Sequence, residues 1–305
     1  MTLNKSVYVI IVTYNPKKWI DKCFNSLRNS TLECKTIVID NGSTDGSQEI
    51  IKKNYPEIDF IQSVENLGFG KANNIGIEKA YSQGADYILL LNQDAWVDDK
   101  TIEKLIEALK INPSYGIFSP VHMNGMGSDL DFGFKKALGN INLDIKIDTD
   151  EKHIEVKFVN AAIWLLSRKC IEVVGGFSPV FFHYCEDNNY LHRLEYHGFK
   201  IGVLRDAEGY HDRADRVENV FYSDLYQIFE RDIAMTLSNP ILRISYFKIL
   251  IATFFNLAID ILKNNPDKLK NKIYLRALLN TDKKKILINR NLSKNQFGAF
   301  LNLKF

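Results

Sequence analysis

Four times before residue 95 an apolar run breaks off into a short polar stretch of one kind. The breaks are Thr13-Tyr14-Asn15-Pro16, Asp40-Asn41-Gly42-Ser43-Thr44-Asp45, Glu65-Asn66-Leu67-Gly68-Phe69-Gly70 and Asn92-Gln93-Asp94. If the runs are strands of one parallel sheet, these stretches share its carboxyl edge, where open α/β sheets bind ligands in a crevice. Asn, Asp, Ser and Thr offer hydrogen bonds there, and glycine lets backbone approach a ligand closely. One such stretch alone reads equally well as a helix cap or a turn, because Asp and Asn cap helices and glycine ends strands. Four in succession point to a shared site. The glycine loop narrows the ligand: TYNP follows the first run where a dinucleotide fold would place G-x-G-x-x-G, and Gly70-Lys71-Ala72 lacks the Ser or Thr that follows a P-loop lysine. NLGFGKANN, with Lys71 and Asn73, is expected to approach a nucleotide or phosphate by another route.

The elements that must position these residues follow from periodicity. VYVIIV, TIVID, DFIQS and DYILLLN read as strands, alternating with helical patterns through WIDKCFNSL, SQEIIKK and KANNIGIEKAY. This is the rhythm of βαβ units, and near-continuous apolar strands belong to a parallel sheet covered on both faces. A helix near Lys100 to Lys110 and a strand near Gly116 to Pro120 follow. The glycine- and aspartate-rich segment from His122 to Lys152 predicts loops and short strands over a site. KFVNAAIWLLS predicts a strand, and CEDNNYLHRLEYHGF a helix starting near Glu186. Beyond about Asp215 the pattern is helical, with no repeat and no low-complexity tract.

Bulk properties bound the function class. A chain of 305 residues, 46% hydrophobic, can bury a large core. Its 39 basic and 37 acidic residues leave a net charge of +2, too small to call for nucleic acid, and no nucleic-acid partner is expected. Lys and Arg dominate after Lys248, which suggests an acidic surface as a neighbour. Cys23, Cys34, Cys170 and Cys185 form no CxxC pair, and MTLNKSVYVIIVTYN runs straight into a strand, so the expectation is a cytoplasmic protein with reduced thiols. ILIATFFNLAIDIL falls short of the roughly 20 apolar residues of a membrane span and contains Asn256 and Asp260.

The ordered set IVTYNP, VIDNGSTD, ENLGFGKANNIGI, LLLNQDAWV, VNAAIWLLSRKCIEVVGGFSPVFFHYCEDNNYLHRLEYHGF and GYHD resembles the family 2 glycosyltransferases of GT-A fold, a Rossmann-like, mostly parallel sheet. It is most similar to their bacterial rhamnosyltransferase-like branch, which builds surface polysaccharides. The resemblance spans about residues 7 to 215. It implies a catalytic domain over residues 1–215, with 216–305 as a helical C-terminal extension for packing, oligomerisation or membrane-surface contact. It also implies that Thr13, Tyr14, Asn15, Asp40 and Asn41 hold the base and ribose of a nucleotide sugar carried on dTDP, UDP or GDP. Asn66, Gly68 and Asn73 would shape that pocket's wall. Asp94 would be the retained carboxylate of a DxD motif, holding Mg2+ or Mn2+ on the diphosphate. His211 stands where the family often adds a further ligand. Asn92 replaces the first aspartate of that motif, so metal binding without nucleotide is expected to be weak.

The same resemblance implies an inverting transfer to a hydroxyl of a cell-surface glycan or lipid-linked acceptor. Asp187 would be the general base, and Glu186 would orient it or touch the acceptor. A helix N-terminus should favour an ionised Asp187 by roughly 0.3–1 kcal/mol. Other readings stay open: a nucleotide-sugar-binding subunit whose Asn92 signals lost catalysis, or a sugar nucleotidyltransferase, for which TYNPKKW is a poor phosphate loop. His183, Cys185, His192, His197 and His211 lack the paired spacing of a structural zinc site. Trp164, Phe177, Phe181, Phe182 and Tyr184 suit either the core or stacking against sugar or lipid. In the tail, FKILIATFFNLAIDILKN is apolar on most faces and is expected to pack on the catalytic domain or in a homodimer. Lys268, Lys270, Lys272, Arg276, Lys283, Lys284 and Lys285 suit either a solvated face or anionic headgroups on the inner face of a membrane.

Overall fold

The structure is a computed structural model that describes residues 5–139, 152–213 and 224–303. Among the described residues nine strands form one mixed sheet: β1 (Val7–Thr13), β2 (Lys35–Asp40), β3 (Asp59–Gln62), β4 (Tyr87–Leu91), β5 (Ala95–Val97), β6 (Tyr115–Asn124), β7 (His153–Val156), β8 (Ile163–Ser167) and β9 (Lys200–His211). Their order is β3-β2-β1-β4-β8-β6-β9-β5, with β7 also on β9. The helices packed on the sheet are α1 (Ile20–Arg28), α2 (Ser47–Asn54), α3 (Phe69–Ser82), α4 (Thr101–Ile111), α5 (Phe132–Leu138), α6 (Arg168–Val174) and α7 (Glu186–Tyr196).

The first four strands are parallel and coincide with the four apolar runs. Their composition follows from being covered twice. In β1, Tyr8 and Ile10 enter a core with α3, α6 and α7, while Val7, Val9 and Ile11 enter a second with α1, α2 and α4. Successive side chains of a strand point to opposite faces, so a strand buried on both must be apolar throughout.

Two regions differ from the expected pattern. β6 runs on to Asn124, and α5 lies in the segment expected to hold loops and short strands; residues 140–151 and the boundary expected near 215 lie outside the described residues. β9 has no clear periodicity in sequence because it carries an irregularity. Pro120 of β6 pairs with Leu204 and Val121 with Glu208, so Arg205 to Ala207 have no partner on β6. The first part of β9 pairs with β7 and its last three residues with β5.

Helices α8 (Leu225–Ser238), α9 (Tyr246–Leu262), α10 (Lys268–Asn280) and α11 (Lys283–Asn295) follow. They have a small core of their own around Phe229, Ile233, Leu237, Ala277 and Leu278. They dock on α7, where Asn189 Nδ2 donates to Ser238 Oγ (3.0 Å) and His197 Nε2 meets the Ser293 carbonyl (2.8 Å). After α11 the chain returns to the sheet domain. Gly298 N donates to the Glu172 carbonyl (2.6 Å), Gly176 N to that of Ala299 (2.9 Å), and Leu301 enters the core beside α3 and α6. Of the two arrangements expected for α9, packing on the catalytic domain does not cover its apolar face among the described residues: Phe247, Ile251, Phe254 and Phe255 are exposed. No described helix is long and apolar enough to cross a membrane.

Candidate active site

β4 ends at Leu91, and Asn92-Gln93-Asp94 turns the chain into β5, whose Ala95 pairs with His211 at the end of β9. The Asp212 amide donates to the Asp94 carbonyl (2.8 Å). This pairing sets the Asp94 carboxylate 3.3 Å from His211 Nε2, with both side chains buried. Gln93 joins the neighbouring strand end. Its amide accepts from Tyr14 N (2.6 Å) and donates to the Tyr14 carbonyl (3.1 Å), splinting the ends of β1 and β4.

The second edge is organised around a buried carboxylate. Asp40 accepts from Thr13 Oγ1 (3.1 Å), Ser43 N (3.1 Å), Ser43 Oγ (2.5 Å) and Gln48 Nε2 (3.2 Å). Those donors supply what a buried charge requires and leave Asp40 and Thr13 beneath the surface as braces. Asn15 takes a left-handed backbone (φ 51°), donates its N–H to Ser43 Oγ and accepts from Thr44 N. Asn41 Nδ2 donates to Asn66 Oδ1 (2.8 Å), and its Oδ1 accepts from Leu67 N (2.7 Å).

Together these edges wall a cleft of about 420 Å³ lined by Tyr14, Asn41, Asn66, Gly68, Asn92, Gln93 and Asp94, closed on the far side by Phe182 and His183. Asn73 is buried inside α3, donating to the Phe69 carbonyl, and Lys71 is exposed outside the lining. Gly68 is required sterically: its φ is +79°, and a Cβ there would stand 2.2 Å from the Phe182 carbonyl oxygen. Of the aromatic group, Trp164, Phe177 and Phe181 are core, while Phe182 is exposed at the cleft. A second cavity of about 450 Å³, between the 180–184 loop and α8 and α11, shares Phe182 and His183 with the first.

Glu186 and Asp187 open α7, behind Tyr184 and Cys185, two consecutive left-handed residues (φ 67° and 68°). Such a conformation is unfavourable for residues with a Cβ, and it aims both acids inward. Glu186 is buried with Oε2 unpartnered, and burial next to Asp187 pushes its carboxyl up to about 8. Asp187 accepts from the amides of Asn188 and Ala161 and is still raised above its ordinary value, chiefly by burial. The helix terminus, expected to favour an ionised Asp187, is opposed here by desolvation, which sets the net direction of the shift.

Arg213 joins the two groups. Its Nε donates to His211 Nε2 (3.1 Å), its guanidinium opposes the rise of Asp187, and Nη1 would stand 2.8 Å from a Cβ on Gly133.

The glycosyl transferase family 2 model matches residues 8–175, more than half of the chain. The chain belongs to the family 2 glycosyltransferases. Among its relatives, the N-acetylglucosaminyl-diphospho-decaprenol L-rhamnosyltransferase of Mycobacterium tuberculosis is 26% identical over 234 residues, 68% of this chain and 76% of that protein. The dTDP-rhamnosyl transferase RfbF of Shigella flexneri is 25% identical over 223 residues, 70% of this chain and 71% of its own. The transferase resembles the rhamnosyltransferase-like branch, and its fold is GT-A-like. S. aureus TarS 1-349 in complex with UDP-GlcNAc superposes with a TM-score of 0.57 at 17% identity, covering 95% of this chain and 83% of that one. GalNAc-T7 with UDP, GalNAc and Mn2+ gives 0.56 at 14%, covering 77% and 50%.

The transferase offers such a cation few donors of its own. Asp94 lines the cleft with the Asn92 and Gln93 amides, and the fully buried His211 Nε2 stands behind Asp94 Oδ1 at 3.3 Å. His211 Nε2 meets both Arg213 Nε and Asp94 Oδ1, so a cation bound through this nitrogen would take the place of the Arg213 hydrogen bond. Among the described residues no group of three His, Cys, Asp or Glu could hold a metal ion. One carboxylate and one imidazole fit a divalent cation that takes its other oxygens from a diphosphate. Sequence reasoning placed Gln93 at the fourth edge without giving it a role, and missed Arg213. The only signal for Arg213 was its place two residues after His211, and that becomes informative once β9 is known.

Proposed function

We propose that this transferase moves a hexosyl residue, rhamnose first among the candidates, from a nucleoside-diphosphate donor to a hydroxyl of a surface-glycan or lipid-linked acceptor, with inversion. The observation that carries the reading is that Arg213 bonds His211 beside Asp94 and also acts on Asp187, bringing the donor-side and acceptor-side groups into one site. Tyr14, Asn41, Asn66 and Gly68 form the base and ribose pocket, and Thr13, Asp40 and Asn73 brace it from below. Asn15 stiffens its rim.

In this reading Asp94 and His211 would hold Mg2+ or Mn2+, which would offset diphosphate charge, and Arg213, released from His211 Nε2, would add a positive charge beside it. Asp187 takes the acceptor proton as the acceptor oxygen bonds to the anomeric carbon and the bond to the diphosphate breaks. Glu186, protonated near neutrality because burial and Asp187 raise it to about 8, keeps an unpartnered Oε2 with which it would donate a hydrogen bond to the acceptor beside the base. The acceptor occupies the cavity that shares Phe182 and His183 with the donor cleft. The relative named as a dTDP-rhamnosyl transferase favours dTDP, and the TarS complex with UDP-GlcNAc makes UDP the comparison.

Thermal stability with dTDP, UDP, GDP or CDP, each with and without Mn2+, tests this directly. A ligand at about 100 times its Kd adds roughly 2.7 kcal/mol to the folded state. One diphosphate should raise the midpoint strongly only when Mn2+ is present. No shift with any of them would remove the donor assignment.

A further inference from the structure

Helix α9 is built inside out. Tyr246, Thr253 and Asp260, spaced by seven, are its most buried residues, with Ile249 and Leu250 packed beside them on the helical core. Asp260 accepts from Asn265 Nδ2 (3.0 Å) and Asn271 Nδ2 (2.5 Å), Thr253 Oγ1 donates to the Ile249 carbonyl, and Tyr246 OH donates to the Leu278 carbonyl. The opposite side carries Phe247, Ile251, Phe254, Phe255 and Leu262, which are 63%, 56%, 49%, 66% and 85% exposed. Their spacing is that of one helical stripe running almost the full 17 residues, about 25 Å. Leu269, 64% exposed at the start of α10, extends the apolar surface. A continuous apolar surface of this extent marks an interaction site.

Charge decides what covers it. Residues 241–305 carry thirteen Lys and Arg against three Asp and no Glu, leaving twenty-six basic against thirty-four acidic on the rest of the chain. One of those three acids, Asp260, is turned inward. Exposed Lys248 and Lys263 flank the stripe, and exposed Lys268, Lys270 and Lys272 follow on α10. A second copy docked here would bring two strongly basic rims together. An anionic bilayer would meet both the stripe and its rim.

We propose that α9 lies flat in the headgroup layer of an anionic membrane, with its phenylalanine stripe in the acyl boundary and the flanking lysines against lipid phosphates. A helix with polar groups at its most buried positions, an apolar exposed side and basic flanks has the composition of an interfacial anchor. Lys283 stands over the rings of Tyr246 (4.5 Å) and Phe247 (5.2 Å), and Lys285 lines the second cavity. If the transferase reading holds, the acceptor cavity therefore borders the membrane-facing end of α9.

The test uses the full chain and phosphatidylcholine vesicles with or without phosphatidylglycerol, scored by sedimentation. The chain should sediment with the anionic vesicles only, and less so in high salt. The double variant Phe254→Glu/Phe255→Glu, which removes exposed groups alone, should weaken binding by about tenfold or more with an unchanged melting midpoint. Should that variant unfold, Lys248→Glu/Lys263→Glu replaces it, with the same loss expected. Wild-type chain that stays in the supernatant with anionic vesicles overturns the proposal. So does a dimer that ignores vesicles and dissociates in the double variant. Nucleotide-induced stabilisation should be equal in all these proteins, so failure here is distinguishable from failure of the donor assignment.

Discussion

Replacing Glu186 with Gln should change how stability depends on pH more than it changes the fold. In the folded chain the Glu186 carboxyl is pushed from its ordinary 4.5 to about 8 by burial and by Asp187. The unfolded chain gives up this proton near its ordinary value, while the fold retains it to about 8. Unfolding between those values therefore releases a proton, and stability must fall as pH rises through that window. At ~1.4 kcal/mol for each pH unit between the two values, full ionisation removes on the order of 5 kcal/mol. Gln keeps the shape and stays neutral, so the variant avoids that loss. His122, buried and held below its ordinary value, tilts the profile the other way under acid conditions, but it is common to both proteins and cancels in their difference. Urea unfolding of both proteins at about pH 5, 7 and 9 measures the effect. The variant should gain relative to wild type from the first condition to the last, by several kcal/mol, with wild type levelling off above about 8. Parallel profiles would show that Glu186 ionises freely, and its assignment as a hydrogen-bond donor near neutrality would fail.

Three further outcomes are expected. Asp187→Asn should keep nucleotide-induced stabilisation while lowering sugar transfer by about 10^2 to 10^4, the usual contribution of a general base; near wild-type turnover would move the base elsewhere. Gly68→Ala combines a +79° φ with a Cβ 2.2 Å from the Phe182 oxygen, so it should destabilise by roughly 2–5 kcal/mol and weaken nucleotide binding by displacing the 180–184 loop. An unchanged melting midpoint and nucleotide affinity would contradict the close approach. Leu301→Ala should lose roughly 2–5 kcal/mol in urea unfolding, as a core residue does, whereas a surface tail would lose almost nothing.

Most of the parallel half of the sheet was legible because β1, β4 and the end of β2 are buried on both faces and are written as near-continuous apolar runs, while the edge strand β3 (DFIQ) is only half-buried. β9 was not, because Arg205 to Glu208 interrupt any alternation and its three partner strands are remote in sequence. The same gap hid part of the site. Asp94 and the Glu186-Asp187 pair stand at element ends and can be read from the chain alone. Arg213 acquires its meaning from His211, which depends on a pairing between β5 and β9 that no local pattern encodes. Thr13 and Asp40 mark the converse limit: a polar residue at a strand end can serve the ligand or the loop, and only the donors around Asp40 distinguish the two.

The return of Leu301 to the main core gives the chain a built-in delay during synthesis. Gly175 and Gly176, whose surfaces meet Ala299 and Leu301, are made about 125 residues earlier. At about 5–20 residues per second, the nascent sheet domain waits roughly 6–25 s with that apolar seam uncovered. During that interval the four C-terminal helices must emerge and pack before the seam can close. An incomplete chain is thus a natural client for a chaperone that recognises exposed apolar surface, and fusions that hinder residues 298–301 should lower the yield of folded protein.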